Sequence, residues 1–508
     1  MQTNHFFNSK RAISVALSAA LFFALNLAAV PELYDGLLLG LLGITCLLPW
    51  FLWHVHPYPF APIYYTSFLF LLAYPIRTFV VLVFPETALG ISASYMPPFD
   101  PMTVKRALVI MIIGILVYQV SYYLLPLILS FRVRPSNQDE TCNGWRIRIF
   151  LLYLSGWLVR AYQITSGNFT TWLQGENFDP TTFTLLTYFS EFCEIAYILV
   201  WVLAFKEKKK GFATYLLLGS LVVCEAFFGL TIQGTKTRLV RLVFFPIMAY
   251  SLIKFRLPWK TLGMAGCMAV VFVFPFVHAY RDLYTERFGE SFNISAQEGL
   301  TTSMEAVGGM FAMSGQSGHY SVSDDVPVIT LGLAILLNRL HGFDSLVVAL
   351  DNFPRPFPYL FGMDLITAPI AFIPRAIWPE KPISESSDIF DVQILQSPFS
   401  RSSTYPIAEG HMNGGWLGVV LVMFSVATLQ WALFFLFYLP KQANPLVISA
   451  YIWFFIWVVD VGTWVLPAYT FLVQRIIIFL IVWAIFRLRP LTFASLSQAQ
   501  QKHVYKLG

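Results

Sequence analysis

Apolar runs of about 20 residues, the length that crosses the hydrocarbon core of a bilayer, recur along this 508-residue chain. Twelve such segments lie at about 12–30, 34–54, 60–84, 105–130, 147–166, 184–205, 212–232, 238–254, 261–280, 416–438, 445–466 and 469–487. The boundary between the second and third is softened by His54, His56 and several prolines, and 238–254 is short enough to be tilted or partly re-entrant. The rest of the composition agrees. Hydrophobic residues make up 57% of the chain and charged ones 12%, where soluble domains carry about a quarter charged. Water cannot solvate such a surface. The expected fold is an all-α polytopic membrane protein with about twelve transmembrane helices.

The distribution of Lys and Arg near span ends orients such a chain. A cytoplasmic N-terminus puts five basic clusters on that side: Lys10/Arg11, Arg132/Arg134/Arg146/Arg148, Lys206/Lys208/Lys209/Lys210, Lys254/Arg256/Lys260, and Arg487/Arg489 with the tail. The opposite loops 31–33 and 167–183 hold no Lys or Arg. Both termini are therefore expected in the cytoplasm. No small-x-small cleavage site precedes Pro31, so the first apolar run reads as a retained span. The expected layout is nine spans over 1–280, a long outer loop over 281–415, three spans over 416–490 and a cytoplasmic tail over 491–508.

The net charge of +5 comes without a continuous basic stripe, which argues against nucleic-acid binding. Of the five cysteines, Cys46, Cys193, Cys224 and Cys267 sit in apolar runs and Cys142 in a short charged loop. No pair has CxxC spacing, so neither a disulfide framework nor a structural zinc site is expected. No metal or cofactor is expected.

One basic cluster breaks the orientation rule. Lys236, Arg238 and Arg241 fall on the outer side at the start of a span. The functional reading is an anion site: Gly234 permits close backbone approach, a helix N-terminus offers N–H groups, and Lys and Arg add charge-assisted bonds to phosphate oxygens. The alternative is a misassigned hairpin over 212–254. Arg77, Arg160, Glu191, Glu194, Glu225, Asp460 and Arg475 lie inside spans, where an ionised group costs about 2.5–3.5 kcal/mol at the bilayer centre. Glu191 and Glu194 share one helix face by their i,i+3 spacing. Structural ion pairing between helices accounts for any one of these as well as function does. Together they imply a polar cavity in the outer half of the bundle.

Segment 281–415 is acidic, with seven Lys and Arg against fifteen Asp and Glu. Its apolar stretches Val326–Leu337, Phe343–Leu350 and Leu365–Ile373 are too short to span and are expected to form interfacial or re-entrant helices lying on the bundle. Three patches combine charge with rigid turns: Asn338-Arg-Leu-His-Gly-Phe-Asp344, Phe372-Ile-Pro-Arg-Ala-Ile-Trp-Pro-Glu-Lys-Pro382 and Pro406-Ile-Ala-Glu-Gly-His-Met-Asn-Gly-Gly-Trp416. In the second, Arg375, Lys381 and Trp378 are fixed by three prolines. Stiffly held loops of this kind commonly carry binding and catalytic groups, although Trp378 also suits a plain interface anchor.

These patches, in this order, resemble the O-antigen (Wzy-type) polymerases, which join oligosaccharide repeat units in bacterial envelopes. The resemblance covers about 230–420. It rests on Gly234, Lys236 and Arg238; on Arg339 and Asp344; on Pro374, Arg375, Trp378, Pro379, Lys381 and Pro382; and on Glu409, Asn413 and Gly415. The central element is the most specific. Two departures touch residue roles: the usual Gly-Glu order is reversed at Glu409-Gly410, and Asp344 stands further from Arg339 than the pattern has it.

The resemblance implies an inner-membrane enzyme that transfers a growing glycan from undecaprenyl diphosphate to a new lipid-linked repeat unit. The partners it implies are that lipid-linked oligosaccharide, membrane lipid and a protein that regulates chain length. A diphosphate leaving group needs cations and N–H donors more than an acid. Arg375, Arg339, Lys236, Arg238 and Arg241 are the first candidates, with Lys381, Asn413, Arg77 and Arg160 as further substrate contacts. The acceptor hydroxyl needs a base, for which Glu409 and His411 are the candidates and Asp344 the reserve. Trp378 would stack on a sugar face. An O-antigen ligase shares this layout, and a secondary transporter shares the span count. The chain shows no repeated halves of the kind many transporters have.

Overall fold

The computed structural model describes residues 9–52, 58, 60–84, 100–128, 145–166, 180–207, 212–229, 236–254, 256, 258–288, 296–312, 340–362, 373, 378, 380, 389–394, 404–438, 444–459 and 465–487. The described residues hold helices and no strand. In each of the twelve apolar segments the described residues are mainly helical. Among the described residues six helices are long and apolar enough to cross a membrane: Leu33–Phe51, Pro62–Val83, Pro101–Ile128, Leu185–Lys206, Lys260–Val277 and Pro406–Tyr438. Shorter apolar helices cover Ser14–Ala29, Thr214–Phe227 and Pro445–Val459.

Helix α1 (Ser9–Ala29) packs along α2 (Leu33–Phe51) as a hairpin. Next, α3 (Pro62–Leu71) passes through a π turn at Leu72–Ile76 into α4 (Arg77–Val83). Pro75 lies inside that turn. It has no N–H to give the helix ladder, and a single π turn of this kind re-aims the residues that follow. Arg77 is the first of them. Helix α5 (Pro101–Ile128) runs through the centre, followed by α6 (Trp145–Thr165), α7 (Pro180–Ser190), α8 (Phe192–Lys206), α9 (Phe212–Phe227) and α10 (Lys236–Lys254). One large apolar core joins α2 to α10 with the C-terminal helices. A smaller core lies between α12 (Phe274–Phe288) and α13 (Ala296–Ala312), beyond α11 (Trp259–Met268). Helix α12 runs straight through the expected boundary between spans and loop at 280–281.

Two elements expected on the surface of the bundle are inside it. Helix α14 (Gly342–Asn352) covers the stretch read as interfacial or re-entrant and lying on the bundle, yet residues 342–349 are all buried. It packs against α5, against the π turn and against α15 (Pro406–Leu433). Its apolar residues find protein on every side, so this segment is core and not an interfacial helix. A methyl group on Gly342 would come within 2.8 Å of the Tyr74 ring, which shows how closely the two elements approach. Of the other short apolar stretches, 326–337 and 365–372 lie outside the described residues.

The second element is the start of α15. The Pro406–Trp416 patch, expected as a Gly-rich turn ahead of a span beginning at 416, is helical from Pro406. The helix is broken at Gly414 and at Gly415, where φ is +59° and ψ −136°, a conformation that only glycine adopts readily. The chain reverses there. A Cβ on Gly418 would lie 2.0 Å from the carbonyl oxygen of Gly410, and one on Gly410 would lie 2.7 Å from Val419 Cα. On an unbroken helix residues 410 and 418 would be about 12 Å apart along the axis. Residues 406–413 are therefore a half-helix folded back on the long helix that follows it, with two glycines letting the backbones touch. Helices α16 (Pro445–Val459) and α17 (Val465–Arg487) are the last elements among the described residues.

Candidate functional site

The charges expected inside spans gather into two groups. The first is built by α6, α8, α9, α10, α16 and α17. From α6, Arg160 Nη1 lies 2.6 Å from Glu225 Oε1 on α9. From α10, Arg241 Nη1 donates to both oxygens of Glu194 on α8, at 3.1 and 3.2 Å. One turn earlier on α10, Arg238 Nη1 stands 3.9 Å from the same carboxylate. From α17, Arg475 Nη2 lies 2.5 Å from Glu191 Oε1. Aromatic rings bind the pairs together. Arg160 and Arg238 both lie over Phe228, at 4.5 and 5.0 Å from the ring centroid. Arg241 and Arg475 both lie over Trp457, at 4.2 and 3.6 Å.

This is an expensive arrangement for a protein interior, because each buried ion keeps a penalty of several kcal/mol after relaxation unless its partners are good. Among the described residues four guanidinium groups face three carboxylates, and Glu194 is shared by two arginines. The cluster thus holds one more positive than negative charge. Its donors are also in excess. Nε and Nη2 of Arg160, Nη1 of Arg238 and Nε of Arg241 are buried with no hydrogen-bond partner among the described residues. Buried N–H groups of a cation are rarely left in that state. A cluster with surplus positive charge and surplus donors suits an anion with several acceptor oxygens.

The second group surrounds the half-helix. Arg77, set by the π turn, gives Nε at 2.9 Å and Nη2 at 2.8 Å to Asp344 Oδ2 in the first turn of α14. Both side chains are almost fully buried, at 1% and 3% exposure. Tyr405 lies edge-on to Tyr74 and to His341. Glu409, His411 and Asn413 on the half-helix are buried. Asn413 Nδ2 donates to the Glu409 carbonyl at 2.9 Å, His411 meets Tyr359 edge-on, and the Met412 carbonyl accepts from the Leu360 N–H. The 353–362 segment thereby covers the outer side of the reversal.

The predicted residues are distributed accordingly. Arg160, Arg238 and Arg241 come together in the first group; Arg77, Asp344, Glu409, His411 and Asn413 come together in the second. Helix α16 packs against both α10 and α15. Of the two carboxylate oxygens of Asp344, Oδ2 takes two guanidinium N–H groups of Arg77, while Oδ1 is buried with no hydrogen-bond partner among the described residues. Arg339, Arg375 and Lys381, the side chain of Lys236, and Asp460 lie outside the described residues. Trp378 is described and is 36% exposed. Among the described residues no group of three or more His, Cys, Asp and Glu could hold a metal ion.

Sequence reasoning found Arg475, Glu191, Glu194 and Glu225 only as charges within spans, and did not single out Trp457. A tryptophan inside an apolar run carries no sign that two arginines from other helices will settle on it.

Fold and site together define a membrane-embedded helical protein with a buried, cation-rich polar centre. The chain belongs to the family described as a domain of unknown function (DUF8712), whose model matches residues 177–434. That span includes Glu191, Glu194, Glu225, Arg238 and Arg241 of the first group and Asp344, Glu409, His411 and Asn413 of the second. Comparison with curated proteins gives no match, and comparison with solved structures gives none.

Proposed function

We propose that this protein is a multi-pass inner-membrane glycosyltransferase, with both termini cytoplasmic, that polymerises undecaprenyl-diphosphate-linked oligosaccharide repeat units into O-antigen or exopolysaccharide. The observation that carries this reading is the arginine cluster: buried and, among the described residues, one charge to the positive side, with four guanidinium nitrogens that have no hydrogen-bond partner there. Those are the properties a departing diphosphate requires. Their position on helices suits a substrate that arrives through the bilayer.

In the proposed reaction a hydroxyl of the acceptor repeat unit attacks the anomeric carbon of the growing glycan from the face opposite the diphosphate. The new glycosidic C–O bond forms as the C–O bond to the diphosphate breaks, and configuration inverts. The diphosphate leaves with the bonding electron pair, and the charge that develops on it is met by Arg160, Arg238 and Arg241. The hydroxyl proton passes to Glu409 or His411, the two titratable groups of the half-helix. Positive charge is supplied by arginine, so the step is written without a metal ion.

The test is surface glycan chain length in a deletion strain complemented with wild type or Arg241→Ala. Polymerase loss leaves single repeat units attached to the surface, and Arg241→Ala is expected to do the same. Attached glycan missing altogether, with intact lipid-linked polymer, points to ligation. Lipid-linked repeat units retained on the cytoplasmic side point to transport.

A further inference from the structure

Arg241 and Arg475 reach the arginine cluster from different helices, α10 and α17, and meet on the same indole of α16. Their guanidinium carbons stand 4.2 and 3.6 Å from the Trp457 ring centroid, so they are no farther apart than the sum of those distances. Each is tied down on its other side by a glutamate: Arg241 by Glu194 at 3.1 and 3.2 Å, Arg475 by Glu191 at 2.5 Å. Glu191 and Glu194 lie three residues apart at the head of α8, which fixes the spacing of the two carboxylates as firmly as the indole fixes that of the two cations.

Stacking suits this purpose. A guanidinium laid on an aromatic face engages its π surface and keeps its N–H groups, which lie in the plane of the group, available for acceptors. Nε of Arg241 has no hydrogen-bond partner among the described residues. Two like charges brought onto one ring repel in a low-dielectric interior. Two carboxylates relieve that repulsion in part, and two adjacent anionic groups would relieve more of it. A single phosphate has one charged centre to offer, whereas a diphosphate offers two, linked at a fixed short separation.

Resting on the reading that the cluster takes a lipid-linked diphosphate, we propose that Trp457 is the positioning residue of this site. It sets the spacing of Arg241 and Arg475 so that each takes one phosphate, and thereby selects diphosphate over monophosphate carriers. Trp457 acts through the two arginines and needs no contact with the ligand.

The experiment measures binding of a polyprenyl diphosphate and of the polyprenyl monophosphate of equal chain length to the purified full-length protein in detergent. Wild type is expected to prefer the diphosphate. Trp457→Leu is expected to lower diphosphate affinity about tenfold, the scale of a lost desolvated cation–π contact, with monophosphate affinity little changed. Trp457→Tyr, which keeps an aromatic face, is expected to restore most of the preference. A purely packing role would move both affinities and thermal stability together, and an unchanged affinity ratio in a folded Trp457→Leu protein overturns the proposal. Should that variant fail to fold, Arg475→Lys decides. It keeps the charge and loses the planar group, so the diphosphate preference must fall, and an intact preference overturns the proposal. Wild type binding neither lipid would instead sink the reading of the site as a lipid-diphosphate site.

Discussion

Arg77 and Asp344 stand 267 residues apart in the chain and meet with two guanidinium nitrogens on one carboxylate oxygen, 2.9 and 2.8 Å away, in an interior that leaves both nearly unexposed. The pair ties the helix before the first long connection to a short helix late in the chain. Removing either partner strands a buried charge, which costs about 3–5 kcal/mol. Arg77→Ala and Asp344→Ala are each expected to lower the melting temperature in detergent sharply. The pair replaced by apolar residues of similar volume, Arg77→Met with Asp344→Leu, should recover much of the loss. A double variant no better than the singles would show that the charges do more than hold these helices together.

Glu194 serves two arginines, so its neutralisation separates stability from ligand binding. Glu194→Gln removes the only carboxylate within ion-pair reach of Arg238 and Arg241 among the described residues and should cost about 3 kcal/mol of stability. It leaves both cations in place, so affinity for polyprenyl diphosphate should hold or rise. Arg241→Ala should lower that affinity and reduce the proposed polymerisation on the order of 100-fold, the scale of one lost donor to a developing anion. Thermal melting alongside lipid binding checks both halves. Parallel losses in the two variants would mean that the cluster is structural.

Contact of the half-helix with α15 depends on Gly410 and Gly418. A methyl group on Gly418 would lie 2.0 Å from a backbone carbonyl oxygen, which only movement of the half-helix can relieve. Gly418→Ala is expected to destabilise by more than about 2 kcal/mol and to abolish the proposed activity. Gly219→Ala makes the matched control. Nothing lies within 4 Å of the added methyl group there, and a glycine replaced within a helix should be neutral or stabilising by about 0.5–1 kcal/mol. Expression level and melting temperature of the two variants distinguish the cases.

Gln430 on α15 is a polar hub that joins α3, α5 and α16. Its Oε1 accepts from Thr66 and Tyr118, and its Nε2 donates to the Val458 carbonyl at 2.8 Å. Gln430→Leu leaves those groups without that partner in an apolar interior, at about 1–3 kcal/mol for each group left unsatisfied. A fall in melting temperature with unchanged affinity for polyprenyl diphosphate is the expected result. A change in affinity would place Gln430 in communication with the arginine cluster.

The helices were legible in the sequence because a 20-residue apolar run has one economical structure in lipid, with every backbone group bonded within its own segment. Out-of-place charges were legible for a related reason: Arg77, Arg160 and Arg241 stood out against an apolar background. Their partners were not. Nothing in the sequence pairs Asp344 with Arg77 in preference to the neighbouring Arg339. The buried placement of α14 was illegible because a short apolar helix reads alike whether lipid or protein covers it. The reversal at Gly415 was hidden too, since Gly-Gly before a span reads as the end of a loop. That it turns a half-helix back along α15 follows from the close approach of Gly410 to Gly418, a tertiary fact without a local signature.

The sharing of carboxylates in the arginine cluster has a consequence for how the chain is made. Glu191, Glu194 and Glu225 all precede Arg238, Arg241 and Arg475 in the order of synthesis, and an arginine entering lipid without an acceptor is held back. Helix α10 thus arrives to find its counter-charge already waiting on α8. Glu191 stays without the partner it has in the finished fold for 284 residues, until α17 brings Arg475. Helix α17, the last helix among the described residues, brings that partner to Glu191, and a chain truncated before it would leave the carboxylate in the bundle without Arg475.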